Sequence, residues 1–318
     1  MLTGTDMVRP STLSAMKGWP LLLCLRLPAV RDRLRRAGLA LLALPLALGA
    51  VSVAAQPAAN APPPAAIEAF RKADAARERG DLAAARIAYR TACEAGAAVG
   101  CTNHGLMLDR GEGGPADPAG AQVWWRMACE RGNAQGCSVL GNAVMQSDPP
   151  TARGLFAQAC EGAFREACFN LGIMTDQGRG GARDPVAART AYRRACEADH
   201  RQGCYNYGGM LLKGDGGPAD GSGARAAFRK SCDLGEPMGC TNLARIMITG
   251  QGGPVETAPA IALLTRTCDG GHGDACFTLG FVYGEGRGAP ADPAKSRAMF
   301  ERGCSLGHKS SCDRMRAP

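Results

Sequence analysis

The chain has 318 residues and a formal net charge of +8, and 46% of its residues are hydrophobic while only 5% are aromatic. This length suggests two domains of ordinary size, but so few large side chains, together with 43 Gly, argue against a thick hydrophobic core. The Gly content is far below the one third of collagen, and the apolar content is too high for disorder. The composition therefore favours a thin architecture of small residues with covalent support.

The N-terminus has the features of a secretory signal. Five arginines between residues 26 and 36 precede an uncharged stretch of 19 residues, from Ala37 to Ala55, that ends in small residues. This is the order of the basic, apolar and cleavage regions of a signal peptide, so we predict a signal over residues 1–55 and cleavage near Ala55/Gln56. The alternative is a signal anchor, because the apolar stretch approaches the length of a membrane span.

Cleavage at this point defines the mature chain. We predict a Pro/Ala linker over residues 56–66 and a repeat region over residues 67–318, in which Ile67 to Arg79 forms a capping helix. The removed segment holds seven Lys and Arg, two Asp and Glu, and Cys24, so the mature chain keeps a net charge of +3 and fourteen cysteines. An even cysteine number after export favours disulfides. We expect a periplasmic or secreted protein with no stable membrane span.

The fourteen cysteines form seven pairs whose members are eight positions apart. Successive pairs start 36 residues apart, except for one step of 31. Such a period indicates a repeat array and replaces the estimate of two domains. We predict that each repeat is a hairpin of two helices, with the second cysteine opening the second helix. The pairs are Cys93 and Cys101, Cys129 and Cys137, Cys160 and Cys168, Cys196 and Cys204, Cys232 and Cys240, Cys268 and Cys276, and Cys304 and Cys312.

The spacing within a pair predicts one disulfide per hairpin. Eight residues of a continuous helix rise about 12 Å, which exceeds the roughly 7 Å that a disulfide allows between Cα atoms. A turn between antiparallel helices removes this obstacle. A zinc site is disfavoured, because zinc ligands stand closer in sequence and only four His occur. We predict no metal and no cofactor.

The first helix of each hairpin carries a core stripe. Small residues lie one and eight positions before the first cysteine, and a large residue lies four positions before it. The large residues are Tyr89, Trp125, Phe156, Tyr192, Phe228, Leu264 and Phe300. Glycines in the turn should adopt the left-handed conformation that ends many helices. These glycines are Gly96, Gly132, Gly162, Gly235, Gly271 and Gly307.

The second helix begins with a repeated Cys-x-Asn-Leu-Gly pattern, which is complete at Cys168 to Gly172. These positions resemble the Sel1-like repeat, a relative of the tetratricopeptide repeat, over residues 82–316. The cysteines are similar to those of the secreted Hcp-type branch. The resemblance implies an all-α solenoid and, for that branch, weak β-lactamase or penicillin-binding activity. The last repeat departs from the pattern at Asp313, which predicts a shortened second helix that caps the array.

Arginines recur on the first helices and are the candidate binding residues. Stacked helices would align them into a ridge, although acidic residues four positions after one set favour simple surface ion pairs. The arginines seven positions before the first cysteine are Arg86, Arg153, Arg189, Arg225 and Arg297. Those three positions before it are Arg90, Arg126, Arg193 and Arg229. No aromatic residues alternate with them, so nucleic acid is not the expected partner.

No catalytic residue is predicted. The one Ser-x-x-Lys motif, Ser14 to Lys17, lies in the predicted signal, and Ser-Asp-Asn and Lys-Thr-Gly are absent. We expect the four histidines to occupy unrelated repeat positions, which gives no His-based dyad. The sequence therefore predicts an exported scaffold that binds a protein or a peptidoglycan-derived ligand. The alternative is a weak β-lactam hydrolase.

Overall fold

The computed structural model of the protein describes residues 61–316, which form fifteen α-helices and no strand. The predicted signal, its cleavage point and the first part of the predicted linker lie outside these residues. The all-α solenoid of helical hairpins is confirmed in the described part of the chain. No helix there has both the length and the apolar content needed to cross a membrane.

An N-terminal helix, α1 (Pro64–Glu78), precedes seven hairpins. It begins at Pro64 rather than Ile67, because Pro is well tolerated in the first turn of a helix. The first helices of the hairpins are α2 (Leu82–Glu94), α4 (Pro118–Glu130), α6 (Pro149–Glu161), α8 (Pro185–Glu197), α10 (Gly221–Asp233), α12 (Thr257–Asp269) and α14 (Pro293–Ser305). The second helices are α3 (Ala98–Arg110), α5 (Ala134–Val144), α7 (Arg165–Gln177), α9 (Arg201–Lys213), α11 (Pro237–Thr249), α13 (Gly273–Glu285) and α15 (Lys309–Arg316).

All seven predicted disulfides are present, one in each hairpin, with Cα–Cα distances from 4.3 to 4.8 Å. The second cysteine lies one turn inside its helix rather than at its start, since α3 begins at Ala98 and Cys101 is its fourth residue. The helices approach closely here: a Cβ added to Gly100 would lie 2.9 Å from the Ala92 Cβ. A small residue before the second cysteine is therefore required by packing.

The turn between the helices contains one left-handed residue. At Gly132 the φ angle is 79°, as predicted for the turn glycines. The prediction is wrong for Gly162, which has a φ of −76°. The left-handed position in that hairpin belongs to Ala163, with a φ of 58°, and in the next hairpin to Asp199, with a φ of 61°. A non-glycine residue bears a steric cost at these two turns.

The large residue of each first helix is buried. In α4, α6, α8, α10 and α14 its ring lies against a glycine of the preceding second helix, where a side chain has no room, whereas Tyr89 of α2 contacts Phe70 of α1. A Cβ at Gly172 would lie 2.5 Å from the Tyr192 ring, and the same distance separates Gly280 from the Phe300 ring. In α12 the large residue is Leu264, and the equivalent position of α11 holds Ala244 instead of Gly. Because Leu264 is smaller than an aromatic ring, there is room for the methyl group of Ala244.

These contacts place the second helices on the inner side of the array. Direct contacts join α3 to α5, α7 to α9, α9 to α11, and α11 to α13. Among the first helices of the described chain, only α8 and α10 contact each other to a similar extent. Since the second helices lie closer together, they line the concave face.

Three histidines mark the starts of second helices, which corrects the expectation that the four occupy unrelated positions. His200, His272 and His308 each stand four residues before a second cysteine. The Gly203 N–H donates to Nδ1 of His200 at 3.1 Å, and the His200 ring stacks on Phe169 at 4.4 Å between centroids. Burial lowers the pKa of His200. Its neutral imidazole therefore caps α9.

The pair of Leu264 and Ala244 should tolerate replacement by an aromatic residue and glycine only when both residues are changed together. Leu264→Phe alone should lower the free energy of unfolding by about 1–3 kcal/mol, because the Ala244 methyl group occupies the space of the ring. Adding Ala244→Gly should recover part of this loss, giving a coupling of about 1 kcal/mol in a double-mutant cycle measured by chemical denaturation. The reverse exchange, Gly172→Ala with Tyr192→Leu, is the matched control. Strictly additive effects would contradict the contact.

Acid should destabilise the fold through His200. Its folded pKa lies below the unfolded value of about 6.5, so the unfolded chain binds more protons and the free energy of unfolding falls as the pH drops through this value. His200→Asn keeps a capping side chain without this titration and should show a smaller fall in melting temperature between about pH 7.5 and 5.5. The control is His272→Asn, since His272 makes no capping hydrogen bond. Equal pH dependence in wild type and His200→Asn would refute this role.

Candidate functional site

Four of the candidate arginines hold the loops that connect successive hairpins. In each case Nη1 donates to a backbone carbonyl 29 residues further along the chain. Arg86 bonds to Pro115, Arg153 to Ala182, Arg189 to Pro218 and Arg225 to Pro254, at 2.9–3.0 Å. These guanidinium groups are partly or wholly buried. They therefore do not form the open ridge that stacking of the helices was expected to give.

The same arginines explain the Gly-rich loops after the second helices. A Cβ at Gly217 would lie 2.7 Å from Nη1 of Arg189, and a Cβ at Gly181 would lie 2.7 Å from Nη1 of Arg153. The guanidinium group thus occupies the place of a side chain in the loop. Arg297 has a different role, because its Nε pairs with Oε1 of Glu301 at 3.1 Å. The loop glycines and the arginines form a single structural unit.

The other four candidate arginines are exposed on the first helices. Arg90 pairs with Glu94 at 3.5 Å and Arg193 with Glu197 at 3.1 Å, each across one helical turn. Surface pairs of this kind contribute roughly 0.3–0.5 kcal/mol. Arg126 and Arg229 are exposed at the equivalent positions. A ligand-binding role for these four exposed arginines, here called the outer arginines, remains a prediction.

Two cavities open on the inner face of the array. One, of about 690 Å³, lies between α7, α9 and α11, and its walls include Tyr205, Asn206 and Lys213. The other, of about 440 Å³, lies between α11 and α13 and is lined by Phe277 and Phe281 among others. Three residues of α11 border both cavities, so the two lie side by side on the inner face, and we refer to them together as the groove. These shared residues are Asn242, Arg245 and Thr249.

An asparagine recurs along this inner face, two positions after the second cysteine. Asn206 and Asn242 border the groove and are partly exposed. Asn170 donates from Nδ2 to Oδ1 of Asn142 at 3.1 Å, while Asn103 is fully buried. In the sequence this asparagine is recognisable only as part of the repeat pattern, which does not predict its position on the inner face. The signal was its recurrence in a motif whose other members are cysteine and core residues.

Buried side chains, here called the floor, line part of the larger cavity, and charged side chains such as Asp176 and Lys213 line another part. Tyr192 is buried between α8 and the second helices, and burial, with a smaller effect of the nearby Asp176 carboxylate, raises its pKa to about 12. Phe228 and Met210 lie in the same floor. The groove therefore combines apolar contact area with amide groups that both donate and accept hydrogen bonds.

No cysteine of residues 61–316 is free for chemistry, because all fourteen are in disulfides. Over the same residues, no group of three or more His, Cys, Asp or Glu side chains is arranged to hold a metal ion.

Known proteins share this architecture. The family model for the Sel1 repeat matches residues 98–133, 165–200, 201–236, 237–272 and 273–308. Each matched segment contains a second helix, the loop that follows and the next first helix. The hairpin region between residues 134 and 164, which has the short step in the cysteine spacing, is not matched. A search of curated proteins gives no match.

Solved structures show the same fold. A protective antigen present in uropathogenic Escherichia coli strains is 24% identical, with a TM-score of 0.69 over 79% of this chain and 56% of that chain. This chain therefore spans a little over half of that antigen. A Sel1 repeat protein from Oxalobacter formigenes is 19% identical, with a TM-score of 0.55 over 65% of this chain and 85% of that one.

A third solved structure is a cysteine-rich protein. Cysteine rich protein B of Helicobacter pylori is 26% identical over 39% of this chain and 92% of its own, with a TM-score of 0.34. Similarity to the Hcp-type branch therefore rests on the seven paired cysteines themselves. The family matches cover more than half of the residues, and the chain belongs to the Sel1 repeat family.

Proposed function

We propose that this protein is an exported scaffold that binds an extended segment of a partner protein along the inner face of its second helices. The observation that carries the proposal is the groove across α9, α11 and α13, with Asn206 and Asn242 at equivalent positions of neighbouring repeats. Sel1 repeats are typically protein-binding scaffolds, which agrees with this use of the concave face.

The chemistry of the asparagines suits a polypeptide backbone. A carboxamide has one acceptor and a donor group side by side. This matches the N–H and C=O of one residue of an extended chain, which point to the same side. Packed helices lie about 8–10 Å apart, and an extended chain advances about 3.3 Å per residue. Asparagines of successive repeats would therefore meet about every third residue of a bound segment.

The covalent structure supports export. Disulfides persist in oxidising compartments and are rare in reducing ones, and this chain has seven in its described part. They indicate an extracytoplasmic protein. The predicted signal over residues 1–55, with cleavage near Ala55, supplies the route. A peptidoglycan-derived ligand and weak β-lactam hydrolysis have no supporting feature among the described side chains, so the proposal commits to a protein partner.

The inner face and the outer arginines can be separated by matched double variants. The oxidised full chain, expressed with its own N-terminal segment, is panned against a display library of random linear peptides. Selected peptides should bind wild type and lose at least about tenfold in affinity, about 1.4 kcal/mol, on the variant with Asn206→Ala and Asn242→Ala. The variant with Arg193→Ala and Arg229→Ala, changed on the outer surface, should bind like wild type in a fluorescence titration.

The opposite result in these two double variants would place the binding site on the first helices. Loss of binding in the outer arginine variant, with wild-type binding in the asparagine variant, would assign recognition to the first helices. A library from which wild type selects no peptide family would overturn the proposal of peptide recognition. Melting temperatures of both variants, measured with and without reductant, verify that the disulfide-linked fold is intact.

A further inference from the structure

One cation stands at the centre of the groove. Arg245, on α11, borders both the larger and the smaller cavity, and its side chain is exposed. Its Nη1 approaches Oδ1 of Asn242 at 3.5 Å, a long contact with a neutral group on its own helix. No carboxylate of residues 61–316 lies within ion-pair distance of this guanidinium group. Arg245 therefore faces the groove with its charge uncompensated.

Several nearby carboxylates already have basic partners. Asp176 pairs with Arg183 at 2.9 Å, and Glu285 pairs with Arg287 at 2.5 Å. Asp274, in the first turn of α13, has His308 at 3.5 Å and keeps a negative charge at the α13 side of the smaller cavity. The larger cavity also contains Lys213 and Asp215, one charge of each sign. Of the three side chains that border both cavities, Arg245 is the charged one.

The fold does not require an arginine at this position. Five residues after the second cysteine, other second helices carry residues as different as Leu106, Asn142, Gly209 and Phe281. The loop-holding arginines contrast with this, because each of them donates to a backbone carbonyl and excludes a side chain from the loop. Arg245 makes no equivalent bond, so the loops do not account for it.

An aromatic cluster lies beside this cation. Phe277 and Phe281 border the smaller cavity, with ring centroids 4.9 Å apart in an edge-to-face arrangement. Met238 and Ile248 complete its apolar walls. The guanidinium group of Arg314, on α15, lies 5.3 Å from the Phe281 ring centroid. The C-terminal end of the groove thus combines an apolar pocket with the unpaired Arg245, and the paired Glu285 and Arg287 and the carboxylate of Asp274 lie at its border.

We propose that this end of the groove selects an acidic side chain next to a large apolar side chain in the bound protein segment. The proposal rests on the proposed function, since it specifies which segment that groove accepts. A carboxylate forms paired, charge-assisted hydrogen bonds with the fork of the Arg245 guanidinium group. The neighbouring apolar side chain fills the pocket of Phe277 and Phe281, where burial provides affinity and the charge provides specificity.

The test is the peptide selection repeated with a charge reversal. Wild type should enrich sequences with Asp or Glu beside Phe, Leu, Met or Trp. Arg245→Glu should enrich Lys or Arg at the same place and keep the apolar residue. In titrations, Glu→Gln in the best wild-type peptide should weaken binding to wild type about tenfold, the expected scale for a charge-assisted hydrogen bond, and should weaken binding to Arg245→Gln much less.

A matched control makes the same charge change elsewhere. Arg229→Glu reverses an exposed arginine of α10 that lies outside the groove, and it should select the same peptides as wild type. A shift of its consensus toward basic residues would show that net charge, rather than Arg245, determines selection. Melting temperatures of both charge reversals should match that of wild type, because neither arginine holds a loop.

Each remaining outcome separates the two proposals. If wild type selects peptides that lack an acidic residue, or if Arg245→Glu selects the same consensus, charge selection is overturned while peptide binding stands. If wild type selects no peptide, both are overturned. If soluble peptidoglycan fragments bind with a loss on Arg245→Glu and no peptide does, the partner is a cell-wall ligand and the inference of an acidic protein segment is wrong.

Discussion

The packing of successive hairpins in this solenoid depends on the contact between a large side chain and a glycine. Five of the seven first helices insert a ring against a glycine of the preceding second helix, and at Gly172 a Cβ would lie 2.5 Å from the Tyr192 ring. Disulfides join the two helices within a hairpin, whereas these contacts pack one hairpin against the next, together with the arginine bonds to the connecting loops. The glycine lets the next first helix pack closely against the second helix. In this arrangement the second helices also contact one another, and they line the groove on the inner face. In the pair of Leu264 and Ala244, a smaller side chain on the first helix faces a larger one on the second helix, so the two residues together fill the space.

The four loop-holding arginines recur at one position of their repeats because each of them binds the loop that follows its hairpin. A loop that reverses direction between hairpins needs glycines, and a guanidinium group from the first helix fills the space that their missing side chains leave. Its hydrogen bond to the loop carbonyl fixes the start of the next hairpin, as between Arg225 and Pro254. A regular charge pattern along a repeat protein can thus arise from loop structure. Arg245 differs because it follows no period and bonds to no loop.

The sequence was sufficient for the period, the hairpins and the seven disulfides, since these depend on spacing and on the reach of a disulfide. It was insufficient for the site, because which helix faces inward depends on how the hairpins stack. The asparagine two positions after four of the second cysteines could therefore be seen in the sequence only as part of the repeat pattern. The equivalence of His200, His272 and His308 was visible in the spacing and was overlooked. The left-handed Ala163 was missed because the adjacent Gly162 is the more favourable residue for that conformation.

The central claim is that ligands bind to the second helices, on the inner face, and that the first helices are structural. A photoreactive amino acid placed at Thr249, where the two cavities meet, should cross-link a selected peptide on illumination. The same amino acid in place of Arg229, exposed on α10, should give no cross-link above that of an unrelated protein. Mass spectrometry identifies the cross-linked position. Cross-linking at 229 and none at 249 would contradict the account.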